Sequence, residues 1–199
     1  MKSTIYLLFI FLFNTVYGQN SLLKDSFNYE VKKVTGDLNK DKINDIVIVT
    51  QDTINDKSPY KLQIYFGQPN GELKLIITTV KAIEQQFPDG KEGYKTGNGF
   101  DGIAIKKGKF SISNQLLRGN FEHQFRFQNG NFELIGFSKV SSDGQGTITS
   151  IDFNLSTGLR IETRERYDTD KVLSRSKKKV VIRPLPKLQE FTPLENEWY

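Results

Sequence analysis

The sequence predicts an all-β fold, an antiparallel meander of hairpins arranged in propeller-blade-like units. Three observations carry this expectation. Alternation of apolar and polar side chains with a period of two recurs along the chain, whereas helical periodicity is scarce. Gly-containing turn signals separate the alternating runs. Between two such runs stands Asn129-Gly130, a pair suited to the two positive-φ positions of a type I′ hairpin turn.

Taken from the start, residues 1–18 have the order of a secretory signal: Lys2, an apolar run at 5–13, a polar break, and the small-residue end Val16-Tyr17-Gly18. Nine apolar residues fall short of the roughly 20 that a membrane-spanning helix needs. Cleavage is therefore expected after Gly18, with export to a periplasmic or extracellular space and no membrane span left afterwards. No cysteine follows to carry a lipid or a disulfide, so a hydrophobic core must supply the stability of a single domain over 19–182. Loss of Lys2 leaves 27 basic and 23 acidic side chains, a net charge of +4. That balance is too mild for a nucleic-acid binder.

Within the domain, residues 31–80 form a first unit, 103–138 a second, and 147–182 the C-terminal strands, with a Pro-rich tail at 183–199. Residues 46–49 are apolar at every position, as expected of a central strand covered on both faces. Hairpins are predicted over 62–80 around Asn70-Gly71 and over 103–115 around Lys107-Gly108. Two more are predicted over 121–134 around Asn129-Gly130 and over 147–166 around Ser156-Thr157-Gly158. The first and third resemble each other with glycines 59 positions apart, and residues 45–48 rhyme with 102–105 at an offset of 57. Two four-stranded units of blade size would explain both offsets, and chance likeness among hairpins would explain them equally well. Residues 84–102 contain five glycines and read as a long surface loop, a place where function often resides. Within the basic stretch 175–179, the run Lys177 to Lys179 reads as a solvated strand edge that discourages aggregation or, alternatively, as a contact for anionic envelope polymers.

The sharpest motif is Asp37-Leu38-Asn39-Lys40-Asp41-Lys42-Ile43-Asn44-Asp45. It sets oxygen-bearing side chains at loop positions 1, 3, 5 and 9, with the Ile43 carbonyl at position 7. Calcium takes six to eight hard oxygens in a flexible cage. Carboxylates crowded so closely repel one another unless a cation intervenes. The competing reading is a turn in which these side chains bond their own backbone. Followed by the 46–49 strand, Ile64-Tyr65-Phe66-Gly67 and Asn70-Gly71, the motif resembles an FG-GAP or VCBS-type repeat, the calcium-loop blade of integrin-like propellers. The resemblance spans about residues 31–80. It implies calcium as cofactor and ligand roles for Asp37, Asn39, Asp41, Ile43 and Asp45. The chain departs from the family pattern at Lys42, where a glycine is usual. The layout is also similar to small bacterial envelope proteins with a single such repeat, some of which inhibit peptidoglycan hydrolases.

Catalytic constellations are not legible. His123, the single histidine, falls on the aromatic face of its strand, as expected of a buried and hydrogen-bonded core residue. Glu162 and Glu165 lie on opposite faces of a predicted strand, which argues against a glycosidase pair. No nucleophile elbow or phosphate-cradling loop is present. The expected function is that of a non-catalytic, calcium-binding module in the cell envelope, with a protein or cell-wall glycan as partner. Its alternatives are an inhibitor of a lysozyme-type hydrolase acting through 84–102, and a structural accessory subunit using the tail that ends in Trp198-Tyr199.

Overall fold

The computed structural model describes residues 26–97 and 99–199. The expected signal at 1–18 lies outside the described residues.

Eleven strands follow one another with no helix among the described residues. The first four, β1 (Tyr29–Gly36), β2 (Asp45–Gln51), β3 (Tyr60–Gly67) and β4 (Leu73–Thr79), form a four-stranded sheet in sequence order. The other seven form a second sheet, also in sequence order: β5 (Phe100–Lys106), β6 (Lys109–Leu116), β7 (Gly119–Gln128), β8 (Asn131–Ser142), β9 (Thr147–Asn154), β10 (Leu159–Arg166) and β11 (Val172–Lys179). Every pairing is antiparallel, as a chain of short hairpins requires. Lys107-Gly108 and Asn129-Gly130 both have positive φ at each residue, the backbone of a two-residue primed turn.

The two sheets face each other across one aromatic core. Phe66 of β3 stands 4.9 Å from Phe127 in an edge contact, and Phe110, Phe121, Phe125, Phe132 and Phe153 of the larger sheet are at most 1% exposed. Each such side chain removed from water contributes roughly 1.5–3 kcal/mol. Along β1 and β5 the sheets come edge to edge, where a Cβ on Gly36 would lie 2.8 Å from Ile105. The opposite opening is filled by the tail. Leu188, Phe191 and Tyr199 are buried, the Leu134 amide donates to the Pro186 carbonyl, and the Leu188 amide donates to that of Phe132. The Thr79 hydroxyl donates to the Gln189 carbonyl, tying the tail to the smaller sheet as well. The tail is thus an internal component of the fold.

Four expectations change. On β2 only Val47 and Val49 are fully buried, while Ile46 and Ile48 are half-exposed, because the small sheet stacks on the large one with one face. Residues 103–138 do not make a separate four-stranded unit, since β5 to β8 continue through β9 into one seven-stranded sheet. The two offsets are not a structural repeat either: 57 equates β2 with β5 and 59 equates β3 with β7, yet β2 pairs with β3 whereas β6 separates β5 from β7. Finally, the last strand is β11 and stops at Lys179, so residues 180–182 lie beyond it. As expected, β11 is a sheet edge, exposed at all eight positions.

Candidate functional site

The loop 37–44 joins β1 to β2, and its shape follows from its own side chains. Asp37 accepts hydrogen bonds from the Lys40 amide (2.6 Å) and the Lys42 amide (3.0 Å). Asn39 Oδ1 accepts from the Asp41 amide, and Asp41 accepts from the Ile43 amide and from Asn39 Nδ2. These short-range bonds coil the backbone so that Lys40 and Lys42 take φ of 70° and 68°. Left-handed backbone costs a residue with a Cβ about 1 kcal/mol, the strain expected of lysine in the place of glycine.

Asp45 behaves differently. It is completely buried at the start of β2, with Oδ2 accepting from the Leu38 amide at 2.7 Å and Oδ1 from the Gly67 amide at 3.1 Å. One carboxylate therefore ties the loop to the end of β3. Burial raises its pKa, and the backbone donors at Leu38, Gly67 and Asn39 oppose that rise. Gly67 is a glycine for a steric reason: a Cβ there would meet the Asn44 carbonyl oxygen at 2.5 Å.

The structure thus brings Asp37, Asn39, Asp41 and Asp45 into one hydrogen-bonded loop. The donor chemistry suits calcium, since each oxygen that accepts one amide retains a second lone pair. The side chains as placed are turned onto amides, and no group of three or more His, Cys, Asp or Glu gathers into a metal cage among the described residues.

At the far end of the small sheet lies the Gly-rich segment between β4 and β5. It folds back on itself, the Gly97 amide donating to the Gln86 carbonyl at 3.0 Å, and a Cβ on Gly97 would stand 2.2 Å from the Gln85 carbonyl oxygen. Its base is clasped to the β2–β3 loop. The Phe87 amide donates to the Lys57 carbonyl (3.2 Å), Gln51 Nε2 to Gln86 Oε1 (2.7 Å), and the Lys91 amide to Asp56 (3.2 Å). Beyond this clasp Tyr94 is fully exposed. Seven-residue β2 separates the two ends, so the loop at 37–44 and this one stand roughly 20 Å apart.

The remaining candidates have structural explanations. His123 is fully buried among Phe121, Phe137, Phe191 and Tyr199, with ring centroids 4.8 Å from Phe191 and 4.9 Å from Phe137. The expected hydrogen bonds are missing, as neither ring nitrogen has a partner in the structure. Burial accordingly lowers its pKa to about 3. Glu162 pairs with Arg160 at 2.9 Å, and its odd separation from Glu165 on the unbroken β9–β10 register puts the two on opposite faces.

Sequence reasoning missed the outer face of the large sheet. There a bulge at Ile135 interrupts the β7–β8 register and leaves a concavity of about 350 Å³ above Gly136. Lys109, Gln124, Arg126, Ser138, Asp152 and Asn154 line it. The only signal in the sequence is the run of polar residues at alternate positions of four consecutive strands.

No family model, curated protein or solved structure matches this chain.

Proposed function

We propose that this chain is an exported, non-catalytic β domain that works as a binding module in the cell envelope. Its partner surface is the clasped loop 80–99. The observation that carries the reading is Tyr94: a fully exposed aromatic side chain held out by a loop whose base is hydrogen-bonded to the body. An aromatic anchor on a pre-organised loop loses little entropy on docking, and such residues dominate interface energetics. His123 supports the non-catalytic part, because the chain's one imidazole is sealed in the core.

Calcium belongs to this reading as a structural ion. Asp37, Asn39, Asp41, Asp45 and the Ile43 carbonyl would hold it, and it would cross-link the loop at the start of β2. With the ends roughly 20 Å apart, the ion would rigidify the first sheet without touching the partner loop.

A second reading names the partner as a peptidoglycan hydrolase of the lysozyme type. The exposed Tyr94 favours it, since an aromatic side chain free of the body can enter an enzyme cleft. The accessory-subunit alternative loses its main feature, because Leu188, Phe191 and Tyr199 of the tail are spent on the core.

The test is the rate at which lysozyme-type enzymes clear a cell-wall suspension, with and without the purified protein. Inhibition that falls more than tenfold on Tyr94→Ala, with melting unchanged, supports both readings. Clearance by the protein alone would end the non-catalytic reading. Failure to slow any such enzyme would end the inhibitor reading.

A further inference from the structure

We propose that the concavity on the outer face of the seven-stranded sheet binds an acidic oligosaccharide, with Arg126 taking its carboxylate and Asp152, Asn154 and Ser138 its hydroxyls. The site is independent of loop 80–99.

The geometry comes from the sheet register. Three rows of outward-pointing residues cross it: Lys109, Arg126 and Glu133; then Ser111, Gln124, Gly136 and Asn154; then Ser113, Glu122, Ser138 and Asp152. The middle row has no side chain at Gly136, so the face is dented there while both flanking rows stand up. A volume of about 350 Å³ is within the ordinary range for small-ligand sites.

The rows differ in how their polar groups are used. Lys109 Nζ donates to Gln124 Oε1, Gln124 Nε2 to Glu122 Oε1, and the Ser113 hydroxyl to Glu122 Oε2, a chain that fixes these side chains. Glu133 is taken up by Gln128 Nε2 at 2.6 Å. That leaves Arg126, a half-buried guanidinium with no hydrogen bond or ion pair among the described residues, and Asp152, exposed and likewise without a partner among them. They cannot satisfy each other. Two strands and two rows separate them, roughly 15 Å between backbones.

A ligand that uses both must carry an anion at one end and hydrogen-bond donors at the other, with polar groups between. Guanidinium takes carboxylate through two parallel hydrogen bonds, and a carboxylate such as Asp152 accepts from vicinal hydroxyls. An acidic saccharide of more than one ring has this layout. An extended peptide fits less well, because β7, β8 and β9 are paired on both sides at this level and offer no open backbone edge.

The experiment is calorimetric titration of the full chain with trigalacturonate, its methyl ester and triglutamate. Trigalacturonate should bind, with at least tenfold weaker binding for the ester and for Arg126→Ala, a smaller loss for Arg126→Lys, and weaker binding for Gly136→Leu, which fills the dent. Far-ultraviolet circular dichroism and melting should show each variant folded, as Arg126 has no partner to lose. The proposal is overturned by no heat at millimolar trigalacturonate, by equal binding of the ester, by triglutamate binding as tightly, or by Arg126→Ala retaining full affinity. Shortening loop 80–99 should leave this binding intact.

Discussion

Replacing His123 by phenylalanine should remove a component of the pH dependence of folding that this side chain alone imposes. In the native state the ring is sealed among Phe121, Phe137, Phe191 and Tyr199, and burial lowers its pKa from 6.5 to about 3. Of those neighbours only Tyr199 titrates, and burial raises its phenol further, so it stays neutral below pH 7. The sign follows from proton counting. Between pH 6.5 and about 3 the unfolded chain binds a proton at His123 that the native chain does not, so stability falls as pH falls through this window. With a native ring that stays neutral, acidification from pH 7 to 5 costs about 2 kcal/mol through this residue. A phenyl ring fits the same aromatic surroundings and leaves no unpartnered nitrogen, so His123→Phe should also add about 1–3 kcal/mol at pH 7. The assay is urea unfolding of both proteins at pH 7 and pH 5. The quantity read is the difference between their two pH-induced changes, in which the carboxylates cancel. A value near 2 kcal/mol is expected. Parallel behaviour within about 0.5 kcal/mol would refute the reasoning and show that the ring is hydrated or hydrogen-bonded in solution.

Asp45→Ala should destabilise by about 2–5 kcal/mol in urea unfolding, because the amides of Leu38 and Gly67 lose a buried acceptor. Asp41→Ala, exposed and bonded only within its loop, should cost less than about 1 kcal/mol. Lys42→Gly should stabilise by about 0.5–1 kcal/mol, since φ of 68° costs glycine nothing. Removing residues 184–199 should give a chain that binds hydrophobic dye and melts without cooperativity, since Leu188, Phe191 and Tyr199 leave the core at roughly 1.5–3 kcal/mol each.

How much was legible in the sequence depended on whether a signal was local. The hairpins at 107–108 and 129–130 were written in two residues each, and the structure has both. The loop at 37–45 was marked by the spacing of its oxygen-bearing side chains, and the structure gives Lys42 a positive φ there. What could not be read was the part played by Asp45, because its carboxylate also accepts from the Gly67 amide, twenty-two residues away, whereas Asp37 and Asp41 turn onto amides of their own loop. β11 was legible only through its lysine run, since a strand exposed on both faces has no alternation to detect. Leu188, Phe191 and Tyr199 are spaced without period in a segment broken by Pro184, Pro186 and Pro193, so nothing local marks the tail as core. Ile46 and Ile48 misled in the opposite sense, being apolar on a face that is only half-covered. The outer groove exists only across strands and needs the bulge at Ile135 to form.

The central claim, an ion-stabilised binding module, is tested most directly by thermal unfolding of the purified protein in excess EGTA and in millimolar calcium, beside Asp37→Ala and Asp41→Ala. A site filled at a hundred times its dissociation constant adds about 2.7 kcal/mol to native stability. The account predicts a calcium-dependent rise in melting temperature that both substitutions abolish. An identical melting temperature with and without calcium would contradict it, leaving the loop as a turn held by its own amides.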